Sequence, residues 1–209
     1  MTTPVVEKAQ LHDAAALTEV FLKGFNDEYF QTLFPQNEFG REYMIRAYEG
    51  FMLSKEHKSQ EGQVFVVKNE KGEVVAGALV WIIRPEDNGT WSWRKRWPAA
   101  NEGQKDELLD QFFTDMATQH ESIMGKDAHI YFEVIMTDPA YQRRGYALAL
   151  LQRAAQIADD LGYRSYLDSD PDVTPLYQRA GYAVADGANQ TSFMVPMVRP
   201  AKSQVSAGV

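Results

Sequence analysis

The sequence contains no cysteine. That absence excludes disulfides, thiolate metal sites and a cysteine nucleophile. It also excludes acyl transfer through an enzyme-bound thioester. There is no apolar run of the roughly 18 residues that a membrane-spanning helix needs. The opening residues, Met1 to Lys8, lack the basic and apolar regions of a signal peptide. The expectation is a cytoplasmic protein with no membrane contact. Histidine is sparse, at 4 residues, and His12, His57 and His120 are scattered. No metal site is expected from them. Basic residues are outnumbered, 21 against 29 acidic ones, for a formal net charge of −8. That balance disfavours nucleic-acid binding through the bulk surface. An acidic surface attracts cationic amines, although solubility alone accounts for it. Two glycosylation sequons, Asn88-Gly-Thr90 and Asn189-Gln-Thr191, read as chance matches in a chain without an export signal.

What is present is enough for one folded domain. The chain has 209 residues, 44% hydrophobic and 24% charged, so a sizeable core forms and global disorder is excluded. The domain is expected over residues 1–199, with a frayed tail over 200–209. Thr3 to Ala9 reads as a strand. Asp13 offers an N-cap to a helix carrying Leu17, Val20 and Phe21. An aromatic stretch of Phe25, Tyr29, Phe30 and Phe34 ends at Pro35. Arg41 to Leu53 reads as a helix. Gln63 to Lys68 and Glu73 to Arg84 form a hairpin around Asn69-Glu-Lys-Gly72. Residues 85–125 look like an insertion, irregular at first and then an amphipathic helix from Asp106 to Met124. His129 to Met136 is an apolar strand, Tyr146 to Leu161 a helix closed by Gly162, and Arg164 to Leu167 a short strand. Asp172 to Ala180 reads as a short helix, and Tyr182 to Ala185 and Thr191 to Val198 as the last strands. The pattern predicts an α/β (α+β) fold. Its centre is a mixed, mostly antiparallel sheet of about 7 strands flanked by helices, with a helical insertion between strands 3 and 4.

One segment carries a chemical signal. Gln142-Arg143-Arg144-Gly145-Tyr146-Ala147 joins an apolar strand to a long helix. A helix N-terminus presents unpaired N–H groups and the positive end of the dipole, where a pyrophosphate can sit. Gly145 removes a Cβ from the approach. The string is neither a Rossmann fingerprint, which needs three spaced glycines, nor a P-loop. Taken alone it also fits an ordinary turn with solvated arginines.

Two stretches place it in context. His129-Ile-Tyr-Phe-Glu-Val-Ile-Met-Thr-Asp-Pro-Ala-Tyr-Gln-Arg-Arg-Gly-Tyr-Ala-Leu-Ala-Leu-Leu151 resembles the acetyl-CoA motif of the Gcn5-related N-acetyltransferase (GNAT) superfamily. Asp168-Ser-Asp-Pro-Asp-Val-Thr-Pro-Leu-Tyr-Gln-Arg-Ala-Gly-Tyr182 resembles the segment of that family ending in "LYxxxGF". The His-led strand and the tryptophan-containing insertion resemble the puromycin-acetyltransferase-like branch and similar fungal members. The resemblance implies the GNAT fold and direct attack of an amine on the thioester of acetyl-CoA, with no metal. It implies that the strand before the turn splays from its neighbour, freeing backbone at Ile135, Met136 and Thr137 for pantetheine. Gln142, Arg143, Arg144, Gly145, Tyr146 and Ala147 would hold the pyrophosphate, and Leu148 would close the site. Tyr177 falls where the family places the acid that protonates the departing thiolate. A phenol of pKa about 10 can do so for a thiol of about 8.5. Asp170 stands where many relatives have an asparagine on the CoA arm.

The general base is less marked. Glu133 shares a strand face with Tyr131, Ile135 and Thr137 by period-two alternation, and a carboxylate there serves either as base or as one half of a structural ion pair. His129 is a second candidate. The aromatic stretch Phe25 to Phe34 falls where the family binds its acceptor, with at least half of it expected in the core. Trp91, Trp93 and Trp97 alternate with Arg94, Lys95 and Arg96, as a lid or dimer contact would. The function implied is an acetyl-CoA-dependent N-acetyltransferase acting on a primary amine, with a small molecule preferred over a protein N-terminus or lysine. A CoA-binding sensor without turnover is the alternative. Either a monomer or a homodimer fits.

Overall fold

The computed structural model describes residues 4–54, 60–87, 92–187 and 191–202. Thr3, His57, Trp91, the sequon residues 88–90, residues 189–190 of the second sequon and most of the expected tail lie outside the described residues.

Strand β1 (Val6–Lys8) is followed by α1 (Ala14–Gly24), α2 (Glu28–Leu33) and α3 (Glu38–Met52). Then come β2 (Glu61–Lys68), β3 (Val74–Ile83), α4 (Asp106–Met124) and β4 (His129–Thr137). The chain finishes with α5 (Tyr146–Leu161), β5 (Arg164–Ser169), α6 (Thr174–Arg179), β6 (Ala183–Val184) and β7 (Val195–Arg199). The strands form one 7-stranded sheet in the order β1-β2-β3-β4-β5-β7-β6. Every pairing is antiparallel except β4 with β5. This is the mixed sheet expected, with α4 inserted between β3 and β4.

The sheet separates two apolar cores. Leu79, Trp81, Tyr131, Val134 and Met136 face the core shared with α1, α3 and α4. Val80, Ile82, Ile130 and Phe132 face Leu150, Leu151, Ala154 and Ala158 of α5. β3 is covered on both faces, so its sequence Val-Val-Ala-Gly-Ala-Leu-Val-Trp-Ile-Ile is an apolar run rather than an alternation.

Some local readings differ. β1 is shorter than expected. Asp13 precedes α1, but its carboxylate accepts the Gln10 N–H at 2.9 Å and meets Lys68 Nζ at 3.0 Å instead of capping the helix. The aromatic stretch folds as α2 because Asp27 accepts the Phe30 N–H at 3.0 Å and so starts a turn. α3 starts at Glu38, where Asn37 accepts the Gly40 N–H. Among the described residues no helix is long and apolar enough to cross a membrane.

Two irregularities in β4 set the geometry at the centre of the sheet. Its register against β3 slips between Leu79, opposite Val134, and Val80, opposite Phe132. Glu133 is the extra residue of that bulge, and a bulge shifts the alternation of the strand beyond it. Tyr131 lies in the helical core with Val134 and Met136, while Ile135 packs against the α5 core. The expected sharing of a face by Glu133, Ile135 and Thr137 is therefore corrected: the bulge turns Ile135 to the other side. The second irregularity is on the opposite edge. β4 and β5 are registered only at His129–Arg164, Ile130–Ser165 and Tyr131–Tyr166. Beyond Tyr131 the β4 edge facing β5 is free of ladder pairing.

Candidate active site

A cavity of about 720 Å³ opens where β4 and β5 part. One side is the end of β4 with Ile135, Met136 and Thr137, continuing into Gln142, Arg143, Gly145, Tyr146, Ala147 and Leu148. The other side is Leu167, Asp168, Asp170 and Tyr177. Glu133, Phe25, Phe30 and Met194 also border it. Of the residues expected at the site, Arg144 is the one whose side chain leaves. Its guanidinium lies 4.9 Å from the centre of the Tyr141 ring.

The turn before α5 leaves a row of backbone N–H groups without carbonyl partners among the described residues. Gly145 has φ +85° and Arg143 φ +61°, both in the left-handed region. A Cβ at 145 would meet open space, so the requirement for glycine there comes from the backbone angle rather than from crowding. Among the described residues no backbone carbonyl accepts the N–H of residues 143, 144 or 145. The first N–H groups of the 16-residue α5 follow directly, with the positive end of its dipole. These residues fit a phosphate-bearing ligand. The loop is fastened from outside: Lys23 Nζ of α1 bonds Asp138 Oδ2 at 2.9 Å, and Asp138 Oδ1 accepts the Ala140 N–H. Asp170 spends its carboxylate locally, accepting the Asp172 N–H at 2.8 Å to start the turn into α6.

Tyr177 is 5% exposed. Burial first, then Tyr182 and the Asp170 charge, push its phenol above the ordinary tyrosine value. It is therefore protonated at neutral pH, as a proton donor must be.

Glu133 is held at both oxygens. Trp81 Nε1–H donates to Oε2 at 2.5 Å and Arg96 Nη2 to Oε1 at 3.1 Å. Arg96 also lies over the rings of Trp81 and Tyr131. Burial opposes its charge most strongly, but Glu133 and Tyr131 together turn the balance and raise the guanidinium pKa. Sequence reading missed Arg96. It belongs to the tryptophan-rich segment, whose expected role as a lid or dimer surface is corrected for Trp93 and Trp97. Trp93 and Trp97 are 2% and 4% exposed, packed on Phe113 at 4.8 Å between ring centres. A surface role needs exposure, and neither borders the cavity.

Of the aromatic stretch, Phe34 is core and Tyr29 is 46% exposed, while Phe25 and Phe30 face the cavity. His129 is fully buried at the start of β4. Its Nε2 lies 2.8 Å from His120 Nε2, and its Nδ1 2.6 Å from the Asp127 carbonyl oxygen. Burial lowers its pKa to about 4, and that of His120 also falls. His120, scattered from the other histidines in sequence, thus meets His129 across two elements.

Asp168 was also missed as a site residue. Oδ1 accepts Tyr166 Oη–H at 2.6 Å and Gln119 Nε2–H at 2.8 Å. Oδ2 is buried and has no partner among the described residues. Burial raises the carboxyl pKa to about 7, against the lowering effect of those two donors. The available signal was the alternation Tyr166-Leu167-Asp168, which puts an acid on an otherwise apolar face at a strand end.

The sheet is thus opened at its middle strands, with the glycine turn before α5 at one lip and the buried phenol of Tyr177 at the other. The chain belongs to the acetyltransferase (GNAT) family, whose model matches residues 21–182. The fold is shared with arylalkylamine N-acetyltransferase 2 from Aedes aegypti, at 13% identity and TM-score 0.64, covering 95% of this chain and 99% of that one. It is shared with a phosphinothricin acetyltransferase from Sinorhizobium meliloti solved with AcCoA, at 14% identity and TM-score 0.57, covering 96% and 89%. A Corynebacterium glutamicum structure, described as histone acetyltransferase HPA2 and related acetyltransferase, matches at 19% identity and TM-score 0.58, covering 96% and 97%. No curated protein matches the sequence.

Proposed function

We propose that this GNAT-family acetyltransferase moves an acetyl group from acetyl-CoA directly to a primary amine of a small molecule. The observation that carries this reading is the cavity itself, which joins the anion-receiving turn of α5 to Tyr177 and to an apolar arm at Phe25, Phe30 and Met194. In this reading the N–H groups of Arg143, Arg144, Gly145, Tyr146 and Ala147 hold the pyrophosphate, with Gln142 alongside and Leu148 closing the site. The unpaired edge at Ile135, Met136 and Thr137 receives the pantetheine amides, and Asp170 shapes the α6 side. Acetyl-CoA supplies the activated thioester. Tyr177 donates the proton that the sulfur needs as the C–S bond breaks. Glu133, fixed between Arg96 and Trp81, borders the path of the acceptor amine. The domain extends over residues 1–199 and acts in the cytoplasm as a monomer or homodimer. The His129-led strand and the tryptophan segment support the puromycin-acetyltransferase-like branch.

The apolar arm favours a small amine with an apolar substituent over a lysine on a protein surface. The test is a panel of arylalkylamines, aminonucleosides, polyamines and peptides incubated with acetyl-CoA, with release of free thiol measured. Turnover on a small amine supports the reading. Turnover confined to peptides moves the enzyme to the protein-acetylating class, and binding of acetyl-CoA without any turnover makes it a sensor.

A further inference from the structure

Four carboxylates border the cavity. Asp27 and Asp170 accept the backbone N–H groups of Phe30 and Asp172 at helix starts, and the other two, Glu133 and Asp168, differ in one respect. Glu133 has both oxygens engaged, one by a cation. Asp168 has one oxygen engaged by two neutral donors and the other buried without a partner among the described residues. From this asymmetry we propose that Asp168 is the group that receives the acceptor amine's proton, with Tyr166 and Gln119 as its positioning residues. The inference rests on the acetyltransferase reading of the same cavity.

The geometry comes from the parting of β4 and β5. Tyr166 is in their last registered pair, and Asp168 lies two residues further along the same strand face. That face carries Tyr166 into the core of α1, α3 and α4. Asp168 therefore lies on the side of Phe25, Phe30 and Met194, not on that of α5 and its N-terminal turn. Gln119 is well placed to hold it because one amide nitrogen bonds both Asp168 and the Met194 carbonyl, at 2.8 and 3.0 Å. This ties α4, β5 and the segment before β7 to one carboxyl group. The two donors on Oδ1 leave Oδ2 free to accept, which is the arrangement of a positioned base.

The groups around Asp168 suit it to this work. α4 contributes Gln119 and His120, and the latter is kept neutral by burial, by His129 and by Arg96. β4 contributes Tyr131 and Glu133, and β5 contributes Tyr166. Arg96 bonds to Glu133, so the Glu133 charge that acts on Asp168 is compensated at its own site. Burial, with a smaller push from Glu133, leaves the carboxyl titrating near neutrality, where a base is both available and strong enough.

The proton count closes. The ammonium nitrogen sheds two protons during transfer. Asp168 takes the first, which frees the lone pair that forms the C–N bond to the acetyl carbonyl carbon. The second leaves as the C–S bond breaks, and it replaces the one that Tyr177 gives to sulfur. Asp168 returns its proton to water, so one proton is released per turnover and no oxidant or reductant is needed.

The test uses Asp168→Asn and Asp168→Glu, with 2-phenylethylamine as acceptor and calorimetric titration of acetyl-CoA in parallel. kcat/KM of Asp168→Asn should fall by about 10²-fold or more at pH 7. The rise of wild-type kcat/KM through pH of about 7 should vanish with it, Asp168→Glu should restore part of both, and acetyl-CoA affinity should stay unchanged in all three proteins. Loss of acetyl-CoA binding by the wild type would instead overturn the acetyltransferase reading, so the two failures are distinguishable. Should Asp168→Asn fail to fold, the wild-type profile is compared for 2-phenylethylamine and its less basic 2,2-difluoro analogue. A limb that stays in place supports Asp168, and one that follows the amine's basicity overturns it. Retention of kcat/KM within twofold by a folded Asp168→Asn would also overturn it.

Discussion

Arg96 and Glu133 meet at 3.1 Å with side chains only 6% and 2% exposed. Removing one partner of such a pair leaves an uncompensated buried charge. Arg96→Met should destabilise the protein by roughly 3–5 kcal/mol, read as a fall in the urea midpoint. Glu133→Gln in the Arg96→Met background should recover much of that loss. Equal, additive losses would show that the two charges are not coupled.

Tyr177→Phe removes one hydroxyl from a buried ring. If that hydroxyl protonates the departing sulfur, kcat should fall by about 10²-fold while acetyl-CoA affinity holds. The measurement is steady-state turnover alongside calorimetry. Unchanged kcat would return Tyr177 to a packing role.

Asp168 carries a stability signature of opposite sign to an ordinary ion-paired carboxylate. Its folded pKa of about 7 lies above the ordinary value of 3.8. The folded state holds the proton more tightly, so the stabilising contribution is complete below pH 3.8 and is lost as pH rises through about 7. Asp168→Asn should therefore be more stable than wild type at pH 8, by at most about 4 kcal/mol, with the difference shrinking toward pH 4. Thermal or urea unfolding at both pH values checks this. A variant less stable at pH 8 than at pH 4, relative to wild type, would contradict it.

Gly145→Ala tests the turn. No atom obstructs a methyl group there, so the cost is the left-handed backbone alone, about 1 kcal/mol. Acetyl-CoA affinity should fall, because relaxing the turn re-aims the N–H groups of residues 143–147. Asymmetric loss, large in affinity and small in stability, is the expected pattern in calorimetry and thermal unfolding.

Much of this fold was legible in the sequence. α4 and α5 are legible because each is amphipathic, and α5 also meets Gly162, with positive φ, at its end. The turn and the Tyr177 segment were legible because they are contiguous strings. What escaped was produced by contacts between distant residues. The Glu133 bulge is a mismatch of two strands and leaves no trace in the periodicity of one. Gln119 and Asp168 are 49 positions apart, Arg96 and Glu133 37. The alternation of tryptophan with arginine read as surface, yet a single 3-10 turn at Trp93–Lys95 sends Trp93 inward and Arg94 outward to Asp106.

Acetyl-CoA binding in the opening between β4 and β5 is tested most directly by titration of acetyl-CoA into the protein in a calorimeter, with thermal unfolding at saturating ligand. One-site binding is expected, with displacement by CoA and a stability gain of about 2–3 kcal/mol at a hundredfold excess over Kd. No heat of binding and no shift with either ligand would contradict it.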